Sequence, residues 1–300
     1  MRSQLPRTFR SAIRASLPVF AAFCALSQSA RADWTVATSA SLSHDNNVGN
    51  AQSYSSKAAD SNLSATLSLL QLISLGESFS LAAGGDASGQ IYDHLTGLNN
   101  ASLDALLSLK EKWGIGAYAP WTRFGISVGR ADFDDGYRDA TIYRAAIEAG
   151  KRLDERWNVW AKYSYERRRA DPAPTDLYGV SSDVFTLTGR SFKAGVQYAL
   201  SERISLSLGS LLRHGDVVST TQENLHIYTA SKAVAPDPTF GPEAYAYRLY
   251  GTTYGARLGA EYSLGDHSLL GCGFQRLETH AQAANNYADS LAEITWNYRF

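Results

Sequence analysis

Tyr287-Ala-Asp-Ser-Leu-Ala-Glu-Ile-Thr-Trp-Asn-Tyr-Arg-Phe300 stops on an aromatic residue, and its alternation decides the reading of the whole chain. From Ala288, every second position (Ala288, Ser290, Ala292, Ile294, Trp296, Tyr298, Phe300) is small, apolar or aromatic. Asp289, Glu293, Thr295, Asn297 and Arg299 between them are polar. A strand turns successive side chains to opposite faces, so this one has an oily face and a wet face. Three aromatics on the oily face of a terminal strand suit lipid better than water.

At the other end, residues 1–32 read as a cleaved secretory leader. Arg2, Arg7, Arg10 and Arg14 form a basic start, Ala15 to Leu26 a short apolar core, and Ala30-Arg31-Ala32 a small-x-small cleavage site before Asp33. Phe23 before Cys24 argues against a lipoprotein anchor. The mature chain, 33–300, then forms one domain. The leader carries five arginines and no acid, so its removal takes the formal net charge from −1 to −6, and nothing in that balance asks for nucleic acid. Cys272 is left alone, so no internal disulfide forms. After the leader no apolar run approaches the ~20 residues of a membrane helix. A membrane protein of this kind must be a closed barrel, because no other sheet satisfies all its backbone groups in lipid.

Alternation recurs through the mature chain and predicts about twelve antiparallel transmembrane strands in an all-β closed barrel. They fall near 33–43, 62–75, 79–92, 101–113, 121–132, 140–153, 157–168, 185–200, 204–214, 244–264, 268–281 and 287–300, with a bulge near Gly251 to Thr253 where parity shifts. Four connections are tight and alike: Ser-Leu75-Gly-Glu, Leu153-Asp-Glu, Leu200-Ser-Glu and Leu264-Gly-Asp each put a leucine, a small or polar residue and a carboxylate between strands. A fifth, 114–120, is short as well. Longer links at 44–61, 93–100, 133–139, 169–184, 215–243 and 282–286 alternate with them. Short turns at one end and longer loops at the other is the barrel arrangement. Trp34, Phe79, Trp113, Trp121, Trp157, Tyr198, Tyr262 and Trp296 cluster near the turn ends, where an aromatic belt belongs. A water-soluble sandwich filled by these aromatics is the alternative, and it needs neither this leader, this terminus nor this loop asymmetry.

If the Phe300 face meets lipid, the other parity lines the lumen. On the fifth to eighth strands that gives a mostly basic wall of Arg123, Arg144, Glu148, Arg152, Lys162, Glu166, Arg168 and Lys193. Elsewhere it gives Asp86, Asp104 and Glu293, with Asp289, Lys110, Lys112 and Arg299. Fixed charge in a narrow pore biases permeation, here toward small anionic solutes. A small barrel also fills its lumen with paired charges, so a plugged structural barrel remains the alternative. In the 215–243 loop, Tyr228, Pro236, Pro238 and Phe240 offer either a contact surface or an inward plug.

A hydrolase is the weaker alternative. The histidines (His44, His94, His214, His226, His267 and His280) fall in loops, turns or near strand ends, and His44-Asp45-Asn46-Asn47 is the one compact group of catalytic residue types. No metal-ligand spacing or phosphate-cradling loop stands out, and neither a cofactor nor a catalytic residue is assigned.

The terminal strand resembles the carboxy-terminal assembly signal of Gram-negative outer-membrane β-barrels, with aromatics at the last residue and two before it (Phe300, Tyr298), Trp296 beside them and polar Glu293 upstream. Thr295 stands where that pattern usually has glycine. The mature chain as a whole resembles the porin-like class of these barrels, and its strand count is similar to that of small solute-specific porins and autotransporter translocators. The stretch Ser41-Leu-Ser-His-Asp-Asn-Asn-Val-Gly49 also resembles the first hairpin in barrels of surface lipoprotein assembly modifiers. The resemblance implies an outer-membrane location reached by export, with lipid and the barrel assembly machinery as partners.

Overall fold

The computed structural model describes residues 33–172 and 181–300, so the leader expected at 1–32 lies outside them. The chain runs β1 (Asp33–Asp45), β2 (Asp60–Ser74), β3 (Phe79–Tyr92), β4 (Asn100–Lys112), β5 (Trp121–Phe133), β6 (Ala140–Arg152), β7 (Trp157–Ala170), β8 (Leu187–Ala199) and β9 (Ile204–Gln222). It continues through helix α1 (Leu225–Ala230), β10 (Ala233–Pro236), β11 (Ala244–Ser263), β12 (Ser268–Ala281) and β13 (Asn286–Arg299). Each strand pairs antiparallel with its neighbour, β9 pairs with β11, and β13 returns to β1 through Ala40↔Trp296 and Leu42↔Ile294. The ring is closed with twelve strands. β10 stands outside it, on the edge of β11 that β12 leaves free beyond Gly251↔Ala281.

Large apolar side chains point away from the ring. Leu67, Phe124, Ile147, Leu208, Leu258 and Ile294 are 51% to 60% exposed, an arrangement that only an apolar surrounding stabilises. Arg276 and Glu278 on the same outward parity of β12 end this band, and their partners Ser290 and Ala288 on β13 mark the same level. No described helix is long and apolar enough to cross a membrane.

The four alike turns share one hydrogen bond: the leucine N–H donates to the carbonyl four residues on, from Leu75 to Phe79 (2.9 Å), Leu153 to Trp157 (2.8 Å), Leu200 to Ile204 (2.9 Å) and Leu264 to Ser268 (2.9 Å). A repeated local sequence thus closes a repeated hairpin. Buried apolar residues gather at the opposite, loop end, in one cluster of Tyr137, Val184, Phe185, Ala235 and Ala246 and another of Val217, Ile227, Tyr247 and Leu249.

Three expectations need correction. β9 does not end at residue 214 but runs on to Gln222, paired with β11 as far as Ala244. Gly215 there is no turn: its φ of +155° and the nearness of Thr188 and Gly189 leave no room for a Cβ, so two glycines meet where β9 parts from β8. The bulge expected at 251–253 is absent, because the register of β11 with β9 is continuous from 244 to 262. The apparent parity shift arises because Tyr247 and Leu249 pack against Ile227 of α1, inside the loop end. Finally, Trp121 does not belong to the outer belt, since it sits on the inward parity of β5, over Gly150 of β6.

Candidate functional site

Because adjacent strands are in register, inward side chains form rows running across the strands. Nearest the turn end, one row reads Trp121, Gly150, Trp160, Gly195 across β5 to β8. The next reads Lys110, Arg123, Glu148, Lys162, Lys193 across β4 to β8. Above it lie Gly125, Ala146, Ser164 and Ser191, then Ser127, Arg144 and Glu166. The row of small residues opens a cavity of about 560 Å³ that Arg123, Arg144, Glu148, Lys162, Glu166 and Lys193 help to line. Of the opposite wall, the inward pairs Ser41–Ser64 (2.8 Å) and Ser88–Ser102 (2.7 Å) are neutral hydroxyls.

Some of the charges are paired. Arg144 donates to Asp104 (2.8 Å) and to Glu166 (2.9 Å), and Arg257 to Glu293 (2.8 Å), while Arg123 lies 3.8 Å from Glu148. Asp104 reaches Arg144 across Gly129, whose missing Cβ leaves the space that its carboxylate fills. Asp86 faces Asp104 directly across β3 and β4. Lys162 and Lys193 also face each other, and no carboxylate pairs with either ammonium among the described residues. Like charges directly opposite on a sheet are destabilising, so this pair costs stability.

Two expected lining residues lie elsewhere along the axis. Arg152 folds over the turn end, donating to the carbonyls of Asp154 (3.1 Å) and Glu155 (2.8 Å). Arg168 sits high at the loop end over the Phe133 ring and donates to the Arg138 carbonyl (2.6 Å). Trp296, Tyr298 and Phe300 all carry the outward parity, with the Tyr298 and Phe300 rings edge to face at 4.9 Å.

Arg138 belongs to a cap that sequence reading missed. Its guanidinium is buried between Asp135 and Asp237 (2.7 Å to Asp237) and lies 4.5 to 5.8 Å from the rings of Phe185, Tyr137 and Phe240. Asp237 is wholly buried and accepts from Tyr137 (3.1 Å) and Thr220 (2.9 Å). Although burial opposes its charge, the carboxylates of Asp237 and Asp135 hold the guanidinium proton more tightly than usual. Links between 133–139 and 223–243 thus bring the β5–β6 loop to the loop after β9 and narrow the loop end of the barrel. Pro236 and Phe240 are half-buried in this inward fold, whereas Pro238 and Tyr228 stay exposed.

The His44-to-Asn47 group is divided by the strand. His44 meets Ser61 (3.0 Å) on the outward face, Asp45 has the inward parity, and buried Asn47 donates to the carbonyls of Ala51 (3.0 Å) and Ala288 (3.2 Å). A second group, Asp60, Asp93 and His94, brings ligand atoms within 4.8 Å of one another at the loop end. Asp60 lies too far back in sequence for any spacing rule to find it. Its carboxylate already accepts the N–H groups of His94 (3.1 Å) and Leu95 (2.8 Å) and so fixes the loop.

No protein-family model matches the chain, and no curated protein matches it either. Among solved structures, an outer membrane channel from Pseudomonas putida F1 aligns over 89% of this chain and 95% of its own, with a TM-score of 0.58 at 11% identity. This barrel has the outer-membrane β-barrel fold. The NanC porin (TM-score 0.46, 9% identity, 86% and 98% covered) and the translocator domain of the autotransporter NalP from Neisseria meningitidis (0.43, 12%, 98% and 98%) align less closely to it.

Proposed function

We propose that this barrel is a narrow channel of the Gram-negative outer membrane for small anionic solutes and not an enzyme, with its turns in the periplasm and the Arg138 cap at the external mouth. The observation that carries the reading is the row of Lys110, Arg123, Glu148, Lys162 and Lys193, in which one carboxylate serves four cations beside an open cavity. A pair such as Lys162 and Lys193 is costly to a mere scaffold. In a pore it raises the local concentration of anions. Lipid around the apolar band and the assembly machinery acting on the terminal strand are the partners that the reading requires.

Planar-bilayer conductance tests it. The parent should conduct and prefer anions, and replacing Arg123, Lys162 and Lys193 together by Ser should lower that preference. The preference should also shrink in 1 M salt, where screening shortens to about 3 Å. A conducting triple variant with unchanged selectivity would overturn the assignment. The buried Asp237 and Arg138 favour a second reading, a filled barrel that acts through its external loops. That reading gains if the parent does not conduct.

A further inference from the structure

Resting on the channel reading, we propose that the tryptophan–glycine row and the lysine pair next to it form a subsite for a small carboxylate carried on a six-membered ring that packs face-on against an indole. In the row Trp121, Gly150, Trp160, Gly195, each indole fills the space that a side chain on the next strand would occupy. A Cβ on Gly150 would fall 2.5 Å from the Trp121 ring, and one on Gly195 2.8 Å from Trp160. The glycines therefore let both indoles lie across the neighbouring strand, with one side against backbone and the other toward the lumen. Lys110 and Arg123 lie 4.8 and 5.2 Å from the Trp121 ring centre, so that ring is engaged by cations. Trp160 has no such partner, and neither indole N–H has a protein acceptor among the described residues.

A cavity of about 340 Å³ lies against these rings, lined by Trp121, Glu148, Asn158, Trp160, Lys162 and Lys193. Lys162 follows Trp160 by two residues, and Lys193 precedes Gly195 by two, so both ammoniums rise from the row immediately above. Same-face neighbours along a strand are about 7 Å apart, and the four-carbon lysine stems span that gap easily. Lys162 and Lys193 are direct cross-strand partners with Cβ atoms about 5 Å apart, so the two oxygens of a carboxylate can bridge them. A ring stacked on Trp160 then carries its acid group to the two unpaired cations. An inorganic anion uses only the lysines and gains nothing from the indole.

The test compares acetate, benzoate and glucuronate on the full-length barrel. In planar bilayers, benzoate or glucuronate should block chloride current at concentrations about three- to tenfold below acetate, the range expected of ring stacking. The same order should appear in the intrinsic tryptophan fluorescence of the detergent-folded protein, which reads binding without needing conductance. Trp160→Ala should remove the ring advantage, Trp160→Phe should keep most of it, and Trp113→Phe, on a turn outside the lumen, should leave it intact. Block by glucuronate alone assigns the ring to a sugar acid, and block by benzoate alone to an aromatic acid. Either result supports the subsite. Equal affinity for all three acids in the parent, which needs no variant to fold, would overturn it. Absence of current with ring-selective fluorescence changes would sink the channel reading and leave the subsite standing.

Discussion

Arg138 concentrates in one side chain what holds the cap shut. It is buried, it neutralises two buried carboxylates, and its backbone carbonyl receives the Arg168 guanidinium from the strand below. Removing one partner of a buried ion pair leaves the other charge uncompensated, at a cost of about 3–5 kcal/mol. Arg138→Leu should therefore loosen the cap while leaving the strand ladder intact. Amide exchange over 223–243 should quicken, protease should cut there first, and conductance should rise. Protection equal to the parent's would show that the aromatic rings, not the charges, hold the loop. The glycines make the complementary point. Gly129, Gly150 and Gly195 yield space to Asp104, Trp121 and Trp160, so what such a position does is set by the side chain on the next strand.

At the scale of elements, much was legible because strand alternation and turn chemistry are local. The twelve ring strands, the four leucine turns and the inward parity of Arg123, Arg144, Lys162 and Lys193 all follow from neighbours in sequence. The rest depends on partners far away. Gly215-Asp216 reads as the start of a long loop until Gly189 is placed beside it, and β10 is too short to show a period. The Arg138–Asp237 bond spans 99 residues, which no spacing rule reaches. Trp121 read as belt on its height along the axis alone, although Arg123, two residues on, already gives it the inward parity. The terminal strand is a case where local pattern suffices for a prediction. Tyr298 packs between Trp296 (6.0 Å) and Phe300 (4.9 Å) on the outward face and touches nothing in the lumen. Outward charge costs roughly 2–4 kcal/mol at the midplane and far less near the interface, so Tyr298→Asp should act through assembly more than through stability. The folded amount in the outer membrane should drop for Tyr298→Asp and for deletion of Phe300, as read by heat-modifiable mobility. Unchanged levels for both would remove the assembly role.

For the whole molecule, the closed ladder is insensitive to moderate pH but the cap is not. Asp139 is pushed up to about 6 by burial, with Asp132 adding to the effect. That value lies above the 3.8 of a free aspartate, so the folded cap binds this proton more tightly than the unfolded chain does. The stabilisation is complete below about pH 4 and is lost as pH rises through 6. His94 works in the same direction, since Asp60 and Asp93 raise it and its charged form is the one held in place. The cap should be tightest near pH 5 and loosest near pH 8, so conductance should climb between them while exchange over 223–243 quickens in parallel. Asp139→Asn removes one of the two titrating groups and should flatten the lower half of that rise, leaving the upper half to His94. A parent whose exchange and conductance stay level from pH 5 to 8, or run the opposite way, would show that these groups do not govern the mouth.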